Sequence, residues 1–302
     1  MTANDTTMAA GTPKAEVDID DALVRALLEA QHPDLADEPI EALDSGWDNA
    51  MFRLGSERLV RLPRRSIAVL LIEHEQRWLP VLAPRLPLAV PAPERVGVPG
   101  CGYPWRWSVL PRLLGTAADL EMPHADQAPR LAEFLAALHQ PAPADAPASS
   151  VRGVSLQLRA DAVQERMARL ERSTDLLPPA VQQIWQRALE APDDAARVWL
   201  HGDLHARNVL VHDGAISGII DWGDITAGDP ATDLASIWML LPDAAARRTA
   251  IRCYGDCTEA TWQRARGWAI LFGVFLAESG AIDHPRHAAM GRWTLRALSE
   301  GP

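Results

Sequence analysis

The chain reads as an α+β protein with a small antiparallel-sheet lobe followed by a larger, mainly helical lobe. Three observations predict this. Short strand-like segments joined by tight connections crowd the first third of the chain. Beyond about Leu113, apolar residues recur mostly at helical spacing. The length of 302 residues exceeds what one minimal core needs, so two lobes are the default.

Residues 1–15 are small and polar, without the basic start and apolar stretch of a secretory signal, and are expected to form a disordered tail. Apolar residues at Ala22, Leu23, Ala26, Leu27 and Ala30 predict an amphipathic helix over Ile19 to Gln31. Ile40–Leu43, Ala50–Leu54 and Arg58–Leu62 predict an antiparallel meander, broken at Ser45-Gly46-Trp47-Asp48 and at Gly55-Ser56. A helix over Ile67 to Leu79 is expected to end at Pro80. Val96–Val98 and Trp107–Pro111 read as strands, and the first lobe is placed at 16–110 and the second at 111–302. Within the second, Gln127–His139, Leu158–Leu170 and Ala180–Leu189 read as helices, and Pro141 to Ser150 as a disordered-looking loop. Val198–Leu200, Asn208–Val211 and Ala215–Ile220 read as strands, the last two joined by an Asp213-Gly214 hairpin turn. From Pro230 to Leu298 the pattern is mostly helical.

Composition excludes several classes. Hydrophobic residues make up 48% and charged residues 23%, the balance of a soluble globular protein. No apolar run approaches the roughly 20 residues that span a bilayer. A net charge of −11 without a long basic run argues against nucleic acid and anionic membranes as partners, and allows a cationic ligand. Cys101, Cys253 and Cys257 cannot all pair. Cys253 and Cys257, one turn apart, are expected to be buried thiols on a helix, and a reducing cytoplasm fits. Among the 29 basic residues the only lysine is Lys14, in the tail, so no mechanism can use a lysine of the folded body.

The densest chemistry lies in His201-Gly202-Asp203-Leu204-His205-Ala206-Arg207-Asn208, followed after one hairpin by Asp221-Trp222-Gly223. Phosphoryl transfer from a nucleotide needs a carboxylate to orient and deprotonate a hydroxyl, and oxygen ligands that fix Mg²⁺ across the phosphates. Asp203 and Asn208 stand at the two ends of one loop, and the hairpin returns Asp221 toward Asn208. Gly202 and Gly223 are expected to let backbone pass close to both carboxylates. The rival is zinc on His201-x-Asp203-x-His205, which leaves Asn208 and Asp221 without roles. His201 also reads as a brace for the loop through backbone contacts, and His205 reads equally as structural or functional.

The run from His201 to Ala235 resembles the catalytic core of the aminoglycoside phosphotransferase and choline kinase superfamily, which has a bilobal, protein-kinase-like fold. Several fixed residues recur at fixed spacing over that stretch; from about Leu35 onward the likeness continues more loosely. The resemblance implies Asp203 as catalytic base, Asn208 and Asp221 as magnesium ligands, and Asp233 as a scaffold for the catalytic region. It further implies ATP or GTP as co-substrate, with the turn at Ser45 and Gly46 over the phosphates. A strand cation paired with a helix glutamate falls on Arg61 and Glu75, with Glu73 as the fallback, where the superfamily generally has lysine rather than arginine. Either Arg61 does the phosphate work or it is a surface strand residue in a weakened site. Local similarity to macrolide phosphotransferases around Val60–Arg65 and Leu86–Pro91 favours the former. Ser108–Arg112 matches the inter-lobe hinge, and because Pro111 lacks a donor the purine would rest on neighbours such as Leu110.

The implied activity moves the γ-phosphoryl group to a hydroxyl of a small molecule, most readily an antibiotic such as an aminoglycoside or macrolide, with antibiotic resistance as the biology. A metabolic kinase of an amino alcohol or sugar, and a ligand-binding protein with a degenerate nucleotide site, are the alternatives. Candidate acceptor contacts are His205 and Asp224, with Asp229, Glu278 and Asp283 as further carboxylates; each also has an ordinary structural reading. Trp238, Trp262, Trp268 and Trp293 read as core.

Overall fold

A computed structural model describes residues 14–43, 48–255, 257–282 and 284–301. The chain opens with α1 (Asp21–Gln31), whose N-cap Asp20 accepts a 2.8 Å bond from the Leu23 amide. Val24, Leu27 and Leu28, at helical spacing, are wholly buried on one face, each contributing about 1.5–3 kcal/mol. They cover one face of a five-stranded antiparallel sheet built from β1 (Ile40–Ala42), β2 (Asn49–Leu54), β3 (Arg58–Pro63), β4 (Arg95–Gly97) and β5 (Trp107–Pro111). The strand order is β1-β2-β3-β5-β4, which puts β3 at the centre. Alternation in β2 turns Ala50, Phe52 and Leu54 inward, where they meet Val60, Leu62, Trp107 and Val109 in one compact core.

The opposite face of β3 carries Arg61 and is covered by α2 (Val69–Leu82). This helix does not stop at Pro80 as the sequence led us to expect. Only the Pro80 amide bond is lost there, close to the helix end, and buried Leu79 and Leu82 hold the last turn in place. The Gln76 side chain ties α2 to β5, donating to the Trp107 carbonyl at 2.9 Å and to Ser108 at 3.0 Å.

The larger, helical part follows. Its sheets are minor: β6 (Thr116–Ala117), β8 (Val209–His212) and β9 (Ala215–Ile219) form one, and β7 (Val198–Leu200) with β10 (Thr226–Gly228) another. The helices are α3 (Ala128–Leu138), α4 (Ala160–Glu171), α5 (Pro179–Glu190), α6 (Ala231–Leu234), α7 (Ser236–Leu240), α8 (Ala244–Tyr254), α9 (Glu259–Gly280) and α10 (Pro285–Ser299). They enclose a second core in which Trp185, Trp222, Trp238 and Trp268 are buried. Asp213 and Gly214 take positive φ in the expected β8–β9 hairpin, which carries one bulge at Leu210/Val211.

Two expectations are corrected. The loop over 141–150 is tied down: the Pro147 carbonyl accepts from Ala227 N at 2.9 Å and Thr226 Oγ1 at 3.0 Å, and Ala146 is buried. Cys253 is exposed on α8 and Cys257 half-buried beyond its end, because Gly255 at φ 96° ends the helix between them. No described helix is long and apolar enough to cross a membrane.

Candidate active site

Strand β7 delivers the chain into the loop that starts at His201. Asp233 on α6, fully buried, holds the loop by its backbone, accepting from His201 N at 2.6 Å and Gly202 N at 2.9 Å. His201 is closed on both sides: Nδ1 accepts from Asp203 N at 3.2 Å, and Nε2 faces the Ile220 carbonyl at 3.0 Å. That bonding leaves no ring nitrogen for a metal, and among the described residues no group of three or more His, Cys, Asp or Glu is placed to hold one. The zinc reading therefore falls. Gly202 takes φ +86°, and a Cβ there would lie 2.5 Å from the Asp224 carbonyl oxygen. Gly223 differs from expectation: a Cβ would meet nothing nearer than 3.6 Å.

Asn208 closes the loop after a single 3₁₀ turn, Ala206–Asn208, its Nδ2 donating to the Asp203 carbonyl at 2.9 Å. That leaves the amide oxygen as its remaining ligand capacity. The returning hairpin bonds Ile220 N to the Asn208 carbonyl at 2.9 Å, so Asp221 follows directly beside Asn208. Asp221 holds φ 62°, an uncommon conformation for a residue with a side chain, and its carboxylate is exposed. Buried Trp222 anchors the turn, donating to the Ile219 carbonyl at 3.0 Å and packing against His201.

Arg61 and Glu75 meet under the sheet, with Nη1 at 2.7 and 2.8 Å from the two carboxylate oxygens. Both are nearly fully buried, which excludes the surface reading of Arg61. Nη2 reaches Asp221 at 3.3 Å, linking β3 and α2 to the returning hairpin. With its amide oxygen turned to the guanidinium, Asn49 accepts from Nε at 3.2 Å and Nη2 at 2.9 Å. Burial pushes the Glu75 carboxyl up against the pull of Arg61. The fallback Glu73 instead faces Arg106, 3.7 Å away.

On the other side of the loop, the Asp203 carboxylate accepts a 2.7 Å bond from Arg152 Nη2, and His205 Nε2 stands 3.4 Å from its second oxygen. Burial raises the Asp203 carboxyl, but Arg152, then His205 and His201, hold it below its ordinary value. Asp224 lies 4.0 Å from the same guanidinium, and there burial wins, with Asp203 and Asp221 adding repulsion, so its carboxyl is pushed up. The His205 Nδ1 atom is buried without a partner among the described residues.

With this geometry in hand, comparison with known proteins is decisive at the level of family. Residues 39–268 match the model of the phosphotransferase enzyme family. The chain belongs to that family. A curated relative, the uncharacterized protein YcbJ of Bacillus subtilis (strain 168), is 28% identical over 208 residues. That match spans 59% of this chain and 61% of the relative. Among solved structures, a GDP complex of aminoglycoside 2'-phosphotransferase-IIIa superposes with a TM-score of 0.64 at 17% identity, covering 93% of this chain and 99% of that one. The macrolide 2'-phosphotransferase MphH of Brachybacterium faecium gives 0.59 at 23% identity over 93% and 98%. A streptomycin–ATP ternary complex of APH(2")-IIa gives 0.56 at 18% identity over 86% and 91%. These likenesses establish the bilobal, kinase-like fold of the chain.

The remaining expected site residues divide. Ser45 and Gly46 lie outside the described residues, as does Asp283. Leu110 sits opposite Leu59 in the β3–β5 ladder. The same ladder bonds Arg112 N to the Glu57 carbonyl at 2.7 Å, so by antiparallel alternation both main-chain groups of Leu110 turn toward β3. A purine cannot rest on them, and the expectation at Leu110 is corrected. Asp229 is buried on Arg264 at 2.6 Å and caps Ala231 N, and Glu278 pairs with Arg166 and Arg169, so neither is open to an acceptor. Asn208 and Asp221 offer an amide oxygen and a carboxylate, hard donors that suit a magnesium ion completed by water and phosphate oxygens. Arg152 was not foreseen; it stands in a loop without a motif, beside Gly153, whose left-handed backbone only the structure reveals.

Proposed function

We propose that this phosphotransferase moves the γ-phosphoryl group of ATP or GTP onto a hydroxyl of a small molecule. The observation that carries the reading is the junction of the two halves of the site. Asp203 and Asn208 on one loop are bonded to each other, and Asp221 beside them touches the buried Arg61–Glu75 pair. We assign nucleotide binding to the lobe at 16–110 and acceptor binding to 111–302.

Asp203 accepts the proton of the acceptor hydroxyl as its oxygen bonds to the γ-phosphorus. The bond from that phosphorus to the bridging oxygen breaks in line, and the nucleoside diphosphate leaves. Asn208 and Asp221 would hold Mg²⁺, which supplies charge neutralisation across the phosphates when bound. Arg61, oriented by Glu75 and Asn49, presents fixed positive charge on the phosphate side. The reading places the chain in the cytoplasm, where nucleotide is available, and needs neither nucleic acid nor membrane.

The test is magnesium-dependent turnover with ATP and GTP separately, against aminoglycosides, macrolides, amino alcohols and sugars. Asp203→Asn is expected to lose turnover by at least about 100-fold while nucleotide binding survives. Asp221→Ala is expected to lose the magnesium dependence of nucleotide binding. Wild-type turnover in Asp203→Asn would sink the assignment. Tight ligand binding that is indifferent to Asp221→Ala would instead favour a binding protein without catalysis, the reading that the Arg152–Asp203 contact also admits.

A further inference from the structure

The expected base has a positive charge lying on it. Arg152 Nη2 donates to Asp203 at 2.7 Å and stands 4.0 Å from Asp224, so the guanidinium occupies the ground between the two carboxylates of the acceptor side. Its Cζ lies 5.0 Å from the ring centroid of Phe272 on α9. The loop that carries it is held on both flanks. Arg152 N bonds Ser149 Oγ at 3.1 Å, Gly153 N bonds Thr232 Oγ1 at 3.2 Å, and the Gly153 carbonyl accepts from Asp229 N at 3.0 Å. Gly153 takes φ +67°, and a Cβ there would come within 2.9 Å of Gly228 Cα. A backbone pinned in this way places the guanidinium by construction.

This contact has a chemical consequence. A carboxylate bonded to a permanently protonated guanidinium is a poor proton acceptor until that bond is exchanged. An incoming polycation would meet Arg152 head-on. It would also find two of the candidate carboxylates, Asp229 and Glu278, already bonded to arginines. An incoming oxyanion would do the reverse, taking the guanidinium as its partner and releasing Asp203 for the adjacent hydroxyl.

We infer that the acceptor is an alcohol bearing an oxyanion, a carboxylate or a phosphate, next to the hydroxyl that is phosphorylated, and that Arg152 is the residue that receives it. This rests on the phosphoryl-transfer reading given above and narrows it to a substrate class. Arg152 is then the determinant of acceptor charge. Exchange of its partner couples arrival of the correct acceptor to release of the base.

The experiment uses the full chain with magnesium and a non-hydrolysable nucleotide, and measures binding of four sugar-scale probes by calorimetry. Gluconate carries a carboxylate, glucose 6-phosphate a phosphate, glucose no charge and glucosamine a cation. At least one anionic probe is expected to bind 10-fold or more tightly than glucose, with glucosamine weakest; which anion wins separates a carboxylate from a phosphate acceptor. Arg152→Gln is expected to erase the preference, bringing the anions to the level of glucose in the same variant, and Arg152→Lys, which keeps the charge, to retain part of it. Glucosamine binding as tightly as the anions, an anion preference that survives in Arg152→Gln, or no binding of either anion would overturn the inference. Failure of the phosphoryl-transfer reading is distinguishable, because titrating the nucleotide alone, with and without magnesium, would then show no magnesium-dependent binding.

Discussion

Asp203 is pulled in two directions, up by burial and down by Arg152, and the downward pull prevails. A carboxyl depressed in the fold adds stability above its ordinary value, and that contribution is lost as pH falls through the depressed value. Its window is therefore acidic, below the usual carboxylate range. Removing Arg152 takes away the largest pull against burial, so in Arg152→Gln the acid limb of kcat/KM is expected to move upward. A pH–rate profile checks this, and an unmoved limb would mean that Asp203 is not the group being titrated. The arrangement of Asp203, Asn208 and Asp221 was legible because all three lie within one loop and one hairpin, where spacing dictates position. Arg61 and Glu75 were legible for a related reason, since strand and helix follow one another directly. Arg152 reaches Asp203 from 51 residues upstream, and no local pattern announces so distant a contact.

Among the elements, the turn after β7 carries the sharpest demand on sequence. Gly202 combines a left-handed backbone with a neighbouring carbonyl in the space a Cβ would fill, whereas Gly223 has neither. Gly202→Ala is expected to destabilise by about 2–4 kcal/mol, and Gly223→Ala by less than about 1 kcal/mol. Denaturant midpoints of the two variants measure the contrast, and equal losses would refute it. Both glycines flank a carboxylate, so sequence alone treats them alike; the difference comes from how Asp224 packs over the loop. Pro80 teaches the same lesson in reverse. A residue that ends most helices is carried inside α2 because it falls near the last turn, where buried side chains decide the ending. Leu110 was misread because the hinge was judged by the missing amide of Pro111 and not by which neighbouring strand claims each backbone group.

Across the molecule there are two cores, one built on the five-stranded sheet and one on the helices, and the Arg61–Asp221 contact is one of the links between the sheet and the catalytic hairpin. A nucleotide bridging that junction is expected to stabilise the sheet-bearing part by about 2.7 kcal/mol at a concentration 100 times its Kd. Thermal unfolding with and without magnesium and nucleotide would register this as an upward shift of the unfolding midpoint, and no shift would speak against a site at the junction. The net charge of −11 is an average over the chain and does not describe the site interior, where Arg61 and Arg152 stand among the carboxylates. One practical consequence follows from Arg61 in a chain whose only lysine is the exposed Lys14. Acyl-phosphate nucleotide probes, which tag kinases by acylating an amine near the bound phosphates, would find a guanidinium that does not react. A proteome survey of that kind would pass over this protein however well it bound nucleotide.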